Sequence, residues 1–337
     1  MIVPKVTKIS EVEQSQLLEF YKKIYFNRHK TLVNNWKWFY RNGYSKYETL
    51  NLLLEKKVIG QAGIQPVNLN INGQNILASW FLDFAVLPEY RGKGLGKILT
   101  KKLMEQCPNL ITFCNDKTLN LVKNLGWKNS SSTYRFVRPI NPLKFIPFIK
   151  RLNIGDRTIR TYIKKKFNVK NSIKPININD NYEVIKNSFE KRNTKNLKDS
   201  FSIIRDQSWL YWRTMECPYK KNLYFFEYKN NFCIVNIFKE KNIKRLNILF
   251  YYFVDESCEK ELFNLIMHWS ISNNIDLVWA IRKDNYDSFS DIFPEKYKKP
   301  LIFASWSSKT TIFEILKDEP YNSQAIDSDI DSQMFVD

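Results

Sequence analysis

The stretch Val86-Leu87-Pro88-Glu89-Tyr90-Arg91-Gly92-Lys93-Gly94-Leu95-Gly96-Lys97 decides how this 337-residue chain folds. It ends a nearly continuous apolar run from Ile76 to Leu87, and Leu95, Ile98, Leu99 and Leu103 then recur at helical spacing. A strand therefore runs into a glycine loop and a helix starts at once. Such a loop suits a pyrophosphate. Glycines let the backbone approach the anion, unpaired N–H groups of the first helical turn donate to its oxygens, and the helix dipole adds favourable potential. Arg91 and Lys97 supply charge. A P-loop fits worse, because Ile98 follows Lys97 and no glycine stands five positions before Gly96; the Gly-x-Gly-x-x-Gly dinucleotide fingerprint is missed too, since the glycines fall at 92, 94 and 96.

Upstream, residues 8–26 read as a polar-capped helix, Leu50, Leu52 and Leu54 alternate as a strand before Lys56-Lys57, and Val67, Leu69 and Ile71 alternate again. Asn72-Gly73 predicts a hairpin turn, both positions tolerating positive φ. Downstream, Leu110 to Cys114 reads as a strand, and Leu121, Val122 and Leu125 mark a short helix closed by Gly126. Residues 139–172, with Pro139, Pro142 and Pro147 and a strongly basic balance, are expected to form an ordinary packed linker, peripheral membrane contact through the apolar and basic segment at 144–151 being the less favoured reading.

After the linker the succession returns. A helix near Tyr182 to Lys191 precedes strands at Leu223 to Tyr228, Phe232 to Phe238 and Leu246 to Val254; a helix with Leu262, Leu265, Ile266 and Trp269 on one face leads to a strand at Ile275 to Ile281. Trp36-Lys37-Trp38 precedes the first set of strands as Trp209-Leu210-Tyr211-Trp212-Arg213 precedes the second. The expected organisation is a tandem of two like folds, 1–138 and 173–317, joined by the linker 139–172 and followed by an acidic tail, 318–337.

Composition narrows the chemistry. Hydrophobic content of 44% is ample for buried cores. No run approaches the roughly 18 apolar residues of a membrane span, and the first residues lack a signal-peptide core, so a cytoplasmic protein is the default. Five cysteines without a Cys-x-x-Cys pair and two histidines give no metal-ligand constellation and no Ser-His or Cys-His dyad; no metal is expected. The formal charge of +19 admits a nucleic-acid partner, but the basic residues are dispersed and that partner is not favoured.

Arg91-Gly92-Lys93-Gly94-Leu95-Gly96 matches the Arg/Gln-x-x-Gly-x-Gly/Ala motif of the GNAT N-acetyltransferase superfamily, and Asn115 followed by Gly126-Trp127 is similar to that family's Asn…Gly-Phe segment. The resemblance covers residues 1 to about 138. It implies a mixed α/β fold, a twisted mixed sheet flanked by helices and here duplicated in tandem. It also implies acetyl-CoA as co-substrate, with Ala85 and Val86 pairing with the pantetheine, Asn115 ordering it, and Arg91, Gly92, Lys93, Gly94, Leu95, Gly96 and Lys97 holding the pyrophosphate. The family often places a tyrosine seven residues after the Asn115 position, as the acid that protonates the leaving thiolate; here Val122 stands there, and Tyr134 is the substitute.

Acetyl transfer needs a neutral amine, so a carboxylate commonly takes the proton. Asp83, charged within Trp80-Phe81-Leu82-Asp83-Phe84-Ala85-Val86, is the candidate, a paired structural carboxylate being the alternative. In the second half Asp255-Glu256-Ser257-Cys258-Glu259-Lys260-Glu261 replaces the glycine loop, and its four carboxylates would repel a pyrophosphate. Trp36, Trp38, Trp209, Trp212 and Arg213 read as buried core residues first and as the lining of an acceptor site second. The expected activity is acyl-CoA-dependent N-acyltransfer, acetyl by preference, to the amino group of a small molecule, with an amino sugar or a nucleotide-linked sugar for surface polysaccharide favoured. An aminoacyl-tRNA-dependent transferase like the Fem peptidoglycan enzymes and a non-catalytic acyl-CoA-sensing module are the other readings.

Overall fold

The computed structural model describes residues 4–26, 28–145, 167, 172–193, 201–240, 242–253, 256–283, 292–294, 297–310 and 312. Most of the 139–172 linker, the 146–151 part of the suggested membrane contact and the acidic tail lie outside these residues. The first half runs β1 (Lys5–Lys8), α1 (Gln14–Ile24), α2 (His29–Phe39), β2 (Leu50–Leu54), β3 (Lys57–Ile71), β4 (Gln74–Val86), α3 (Leu95–Gln106), β5 (Asn109–Cys114), α4 (Asp116–Lys123) and β6 (Lys128–Pro139). The second runs β7 (Ile176–Asn177), α5 (Tyr182–Asn193), β8 (Phe201–Ile203), α6 (Gln207–Thr214), β9 (Leu223–Tyr228), β10 (Asn231–Glu240), β11 (Ile243–Tyr252), α7 (Glu256–Ser272), β12 (Leu277–Lys283) and β13 (Lys299–Ser307).

Local chemistry accounts for the boundaries. Asn72 and Gly73, both at positive φ, close the β3–β4 hairpin with Ile71 opposite Gln74, a two-residue turn whose twist suits the strands. The helix expected over residues 8–26 is shorter: the Glu13–Gln16 capping box starts α1 at Gln14, and a separate α2 follows. β3 is longer than Val67, Leu69 and Ile71 suggest. Its stretch from Val58 to Pro66 is buried on both faces, which erases the alternation that would announce a half-exposed strand.

All the described strands join one mixed sheet, in the order β1-β2-β3-β4-β5-β13-β6-β12-β11-β10-β9-β7, with β8 pairing β3 off this path. From either edge the order is the same: four antiparallel neighbours, then a fifth strand parallel to the fourth, β5 to β4 and β12 to β11. The two central strands are exchanged. β13, the last of the second half, pairs with β5, and β6, the last of the first half, pairs with β12. The duplication shows in detail as well. Glu55 and Lys229, 174 residues apart, both turn at positive φ before equivalent hairpin strands. Trp38 and Trp212, at the same spacing of 174, donate their indole N–H groups to each other's carbonyls at 2.9 and 3.2 Å. A reciprocal pair of this kind marks a pseudo-twofold axis.

The cores follow this plan. Leu17, Phe20, Ile64 and Leu99 belong to a first-half core that also takes Phe303 from β13. In the second half, Leu262, Ile266 and Val278 pack in one cluster and Trp209, Phe225 and Phe250 in another. No helix among the described residues is long and apolar enough to cross a membrane.

Candidate active site

The site begins where two parallel strands part. β4 and β5 pair at Ser79–Leu110 and Trp80–Ile111 and then separate. Past that point lies a cavity of about 400 Å³ whose walls include Phe81, Asp83, Phe84, Phe113, Cys114 and Asn115. A bulge sharpens the parting: Gln61 pairs with Ala85 but Gly63 with Leu82, so Asp83 and Phe84 together face Ala62. Asp83 takes φ 46°, a left-handed conformation that Asp tolerates better than most residues.

The Asp83 carboxylate is 2% exposed and held on both oxygens. Arg28 Nη1 lies 3.3 Å from Oδ1, and the Tyr40 hydroxyl donates to Oδ2 at 3.2 Å. Behind Tyr40, Gln61 Nε2 donates to its hydroxyl oxygen at 2.8 Å and the Tyr21 hydroxyl donates to Gln61 Oε1 at 2.9 Å. Burial, with the nearby Asp83 charge adding to it, pushes the Tyr21 and Tyr40 phenols up, so both remain protonated donors. Gly63 makes room for this arrangement, since a Cβ there would meet the Leu82 carbonyl at 2.7 Å and the Tyr40 ring at 3.0 Å. Arg28 and Tyr40 stand at opposite ends of α2, which kinks at Asn35, so one carboxylate ties down the whole helix. Arg28, Tyr40 and Gln61 carry no periodic or motif signal; the fold alone brings them to Asp83.

The glycine loop continues from β4 through a turn at Pro88–Tyr90. Arg91 Nε donates to the Val86 carbonyl at 2.8 Å, which pins the loop to the strand end beside Ala85. Gly92 and Gly94 take φ 77° and 72°, and Gly94 caps α3. The first intrahelical bond runs from Ile98 N–H to Gly94 O, so the N–H groups of Leu95, Gly96 and Lys97 have no acceptor one turn back in the helix. Lys93 and Lys97 stand in the same segment, and N–H groups left over at a helix start suit an anion. Gly96 also packs tightly: a Cβ there would lie 3.1 Å from the Phe84 ring.

Asn115 caps α4, its Oδ1 accepting from Thr118 N–H at 3.0 Å, and lines the cavity. Val122 is fully buried in the first-half core. Tyr134 is elsewhere. It packs with the second-half core, its ring 6.3 Å from Phe136 and beneath Lys298 Nζ at 4.2 Å. Cys114 lines the cavity, and burial, reinforced by Asp116, pushes its thiol up to about 11.

The tryptophans divide. Trp36 packs against the first-half core, while Trp209 is buried against Phe189 and Phe250. Trp38 and Trp212 meet on the pseudo-twofold axis, rings 5.7 Å apart, with the buried Arg213 guanidinium 5.2 and 4.9 Å from them. The second half's counterpart of this cavity is filled. Strands β11 and β12 stay paired over four residues, and Glu259 in the first turn of α7 forms a bidentate ion pair with Arg282 of β12, both buried.

Residues 11–127 match the Acetyltransferase (GNAT) family. Among solved structures, the chain resembles a GCN5-related N-acetyltransferase from Anabaena variabilis at 14% identity and TM-score 0.57, covering 90% of this chain and 72% of that one. It resembles another from Kribbella flavida at 13% identity and TM-score 0.58, covering 90% and 71%. Saccharomyces cerevisiae N-myristoyltransferase with bound myristoyl-CoA superposes at 14% identity and TM-score 0.60, covering 91% and 83%. No curated protein matches the sequence. Residues 11–127 thus match the Acetyltransferase (GNAT) family, and the chain as a whole shares its fold with solved N-acetyltransferases and with N-myristoyltransferase.

Proposed function

We propose that the chain transfers an acetyl group from acetyl-CoA to the amine of a small molecule, of the amino-sugar class. One observation carries the choice of a short acyl group: Phe113, on the cavity wall, is backed by Trp80, stacked at 5.5 Å, and by Phe303 of β13, 5.7 Å away. Trp80 and Phe303 are buried, so the space between the parting strands ends on packed rings rather than in a channel.

In this reading the loop from Arg91 to Lys97 holds the pyrophosphate, the edges of Ala85 and Val86 pair with the pantetheine, and Asn115 borders it. The neutral amine attacks the thioester carbonyl, a C–N bond forms, the C–S bond breaks, and the coenzyme leaves as thiolate that takes a proton from water. Asp83 fixes α2 and offers its remaining lone pairs to the incoming amine, whose proton passes to water. Burial, reinforced by Asp116, pushes the Cys114 thiol up and so disfavours its thiolate, and in this reading transfer is direct. The five cysteines, all unpaired with one another, suit a reducing cytoplasm. The second half, with its cleft filled by Glu259 and Arg282, serves as scaffold.

The test is calorimetric titration with CoA, acetyl-CoA and longer acyl-CoA esters, followed by transfer assays on amino sugars. Acetyl-CoA should bind and turn over while octanoyl-CoA is refused, and Phe113→Ala should admit the longer ester. Equal turnover of acetyl and octanoyl groups by the unaltered protein would defeat the short-acyl assignment.

A further inference from the structure

A cavity of about 770 Å³ lies between the two halves, apart from the coenzyme cleft. It straddles the pseudo-twofold axis where Trp38 and Trp212 exchange hydrogen bonds. Positions 174 residues apart therefore face each other across it, yet their chemistry differs. Lys37 has Tyr211 as its counterpart, Arg41 has Met215, and Asn42 has Glu216. Both walls carry cations, Lys37 and Arg41 from the first half and Lys186 from the second, while the exposed ring of Tyr211 stands on the second-half side alone, which suits a ligand with an anionic end and a ring.

The details of each wall fit such a ligand. Arg41 takes φ 46° and is 7% exposed, its guanidinium 3.4 Å from the Tyr44 ring centroid and 4.7 Å from that of Trp212. A left-handed arginine costs roughly 1 kcal/mol and persists where its surroundings over-determine it. Lys37 is exposed beside it. On the opposite wall Lys186 adds a third cation, shared with Glu183 at 3.7 Å, and three cations in the lining outnumber the acid Glu216. Tyr211 is 48% exposed, propped edge-on by Tyr182 at 5.7 Å, and presents its ring to the cavity. Burial of part of Tyr182 leaves that prop fixed, so the exposed ring of Tyr211 is a stacking surface.

We infer that this groove binds a small ligand of the nucleoside-diphosphate class, with the phosphates on Lys37, Arg41 and Lys186 and the ring against Tyr211. The proposal rests on the acetyltransferase reading only in making that ligand the carrier of the acceptor amine. The two sites are joined through α2 and the residues after it, since Arg41 follows Tyr40, whose hydroxyl reaches Asp83.

The probe is uridine diphosphate, because an adenine nucleotide shares the coenzyme's own headgroup and would report on the loop at 91–97. Titration into the full chain saturated with CoA should show salt-dependent UDP binding. Lys37→Glu should weaken it at least about tenfold, and Tyr211→Ala several-fold, with CoA affinity unchanged in both; the altered side chains are exposed, so folding is not at stake. In Gly94→Glu, CoA binding should vanish while UDP binding persists. Absence of UDP binding would overturn the inference. So would inorganic pyrophosphate binding as tightly as UDP with no effect of Tyr211→Ala, or tRNA binding tighter than UDP and lost in Lys37→Glu. UDP binding without any CoA binding would sink the acetyltransferase reading and leave the groove standing.

Discussion

Asp83 concentrates three roles at one position: it forms the bulge of β4, pairs with Arg28 and anchors Tyr40. Removing one partner of a buried ion pair leaves the other charge uncompensated and typically costs about 3–5 kcal/mol. Asp83→Asn should therefore lower unfolding stability by about 3 kcal/mol in denaturant titration; a loss well below 1 kcal/mol would show that Arg28 does not depend on this carboxylate. A second residue-scale prediction follows from Cys114. With its thiol pushed up to about 11, alkylation by iodoacetamide should be slow at neutral pH and rise about tenfold per pH unit until that value is approached. Cys107 is pushed up in the same sense, to about 12. Folded-state values above the unfolded thiol near 8.5 mean a stability contribution that is whole below about pH 8.5 and lost as pH rises toward 11. Asp83 was legible in the sequence because a charge stood inside an apolar strand. Its partners were not, since Arg28 lies between two helices and Tyr40 beyond the end of one, where only tertiary structure assigns neighbours.

At the scale of elements, the strand–loop–helix unit was legible because each part is fixed by local chemistry. The apolar run makes β4, Gly94 supplies a left-handed cap, and Leu99 and Leu103 bury one face of α3. Gly94→Ala should cost roughly 1–2 kcal/mol through positive φ alone, since nothing lies within 4 Å of an added Cβ. Gly94→Glu adds a charge where the pyrophosphate is proposed to sit, and acetyl-CoA affinity should fall at least about a hundredfold by calorimetry, an electrostatic loss of about 2.7 kcal/mol. An unchanged affinity in Gly94→Glu would place the coenzyme elsewhere. Tyr134 shows where element-level reading stops. Its strand, β6, has β12 and β13 as neighbours, so the ring packs with the second-half core and not at the cavity beside Asp83.

The whole molecule is governed by that exchange of strands, which sequence periodicity does not record because a strand carries no mark of its partner. The repeat of aromatic segments announced two like halves; it did not announce that β13 would complete the first and β6 the second. Phe303 is fully buried and touches both Trp80 and Phe113, so β13, the last of the described strands, seals the core behind the cavity beside Asp83. Without β13, β5 and β6 would each present an unpaired edge and the first-half core would lose a wall. Residues 1–138 expressed alone should accordingly fail to fold or should aggregate, and the full chain should unfold in one cooperative transition seen alike by tryptophan fluorescence and far-ultraviolet circular dichroism. Phe303→Asp buries a charge beside two aromatic rings, and it should both lower the midpoint of that single transition and abolish acetyl-CoA binding, although position 303 lies more than two hundred residues from the glycine loop. Two separate transitions, or a soluble 1–138 fragment that binds acetyl-CoA as the full chain does, would show that the halves are independent and that the exchanged strands are a convenience of packing. Coincident loss of fold and binding would make the duplication one folding unit, in which a half without a coenzyme loop is retained because its final strand completes the half that has one.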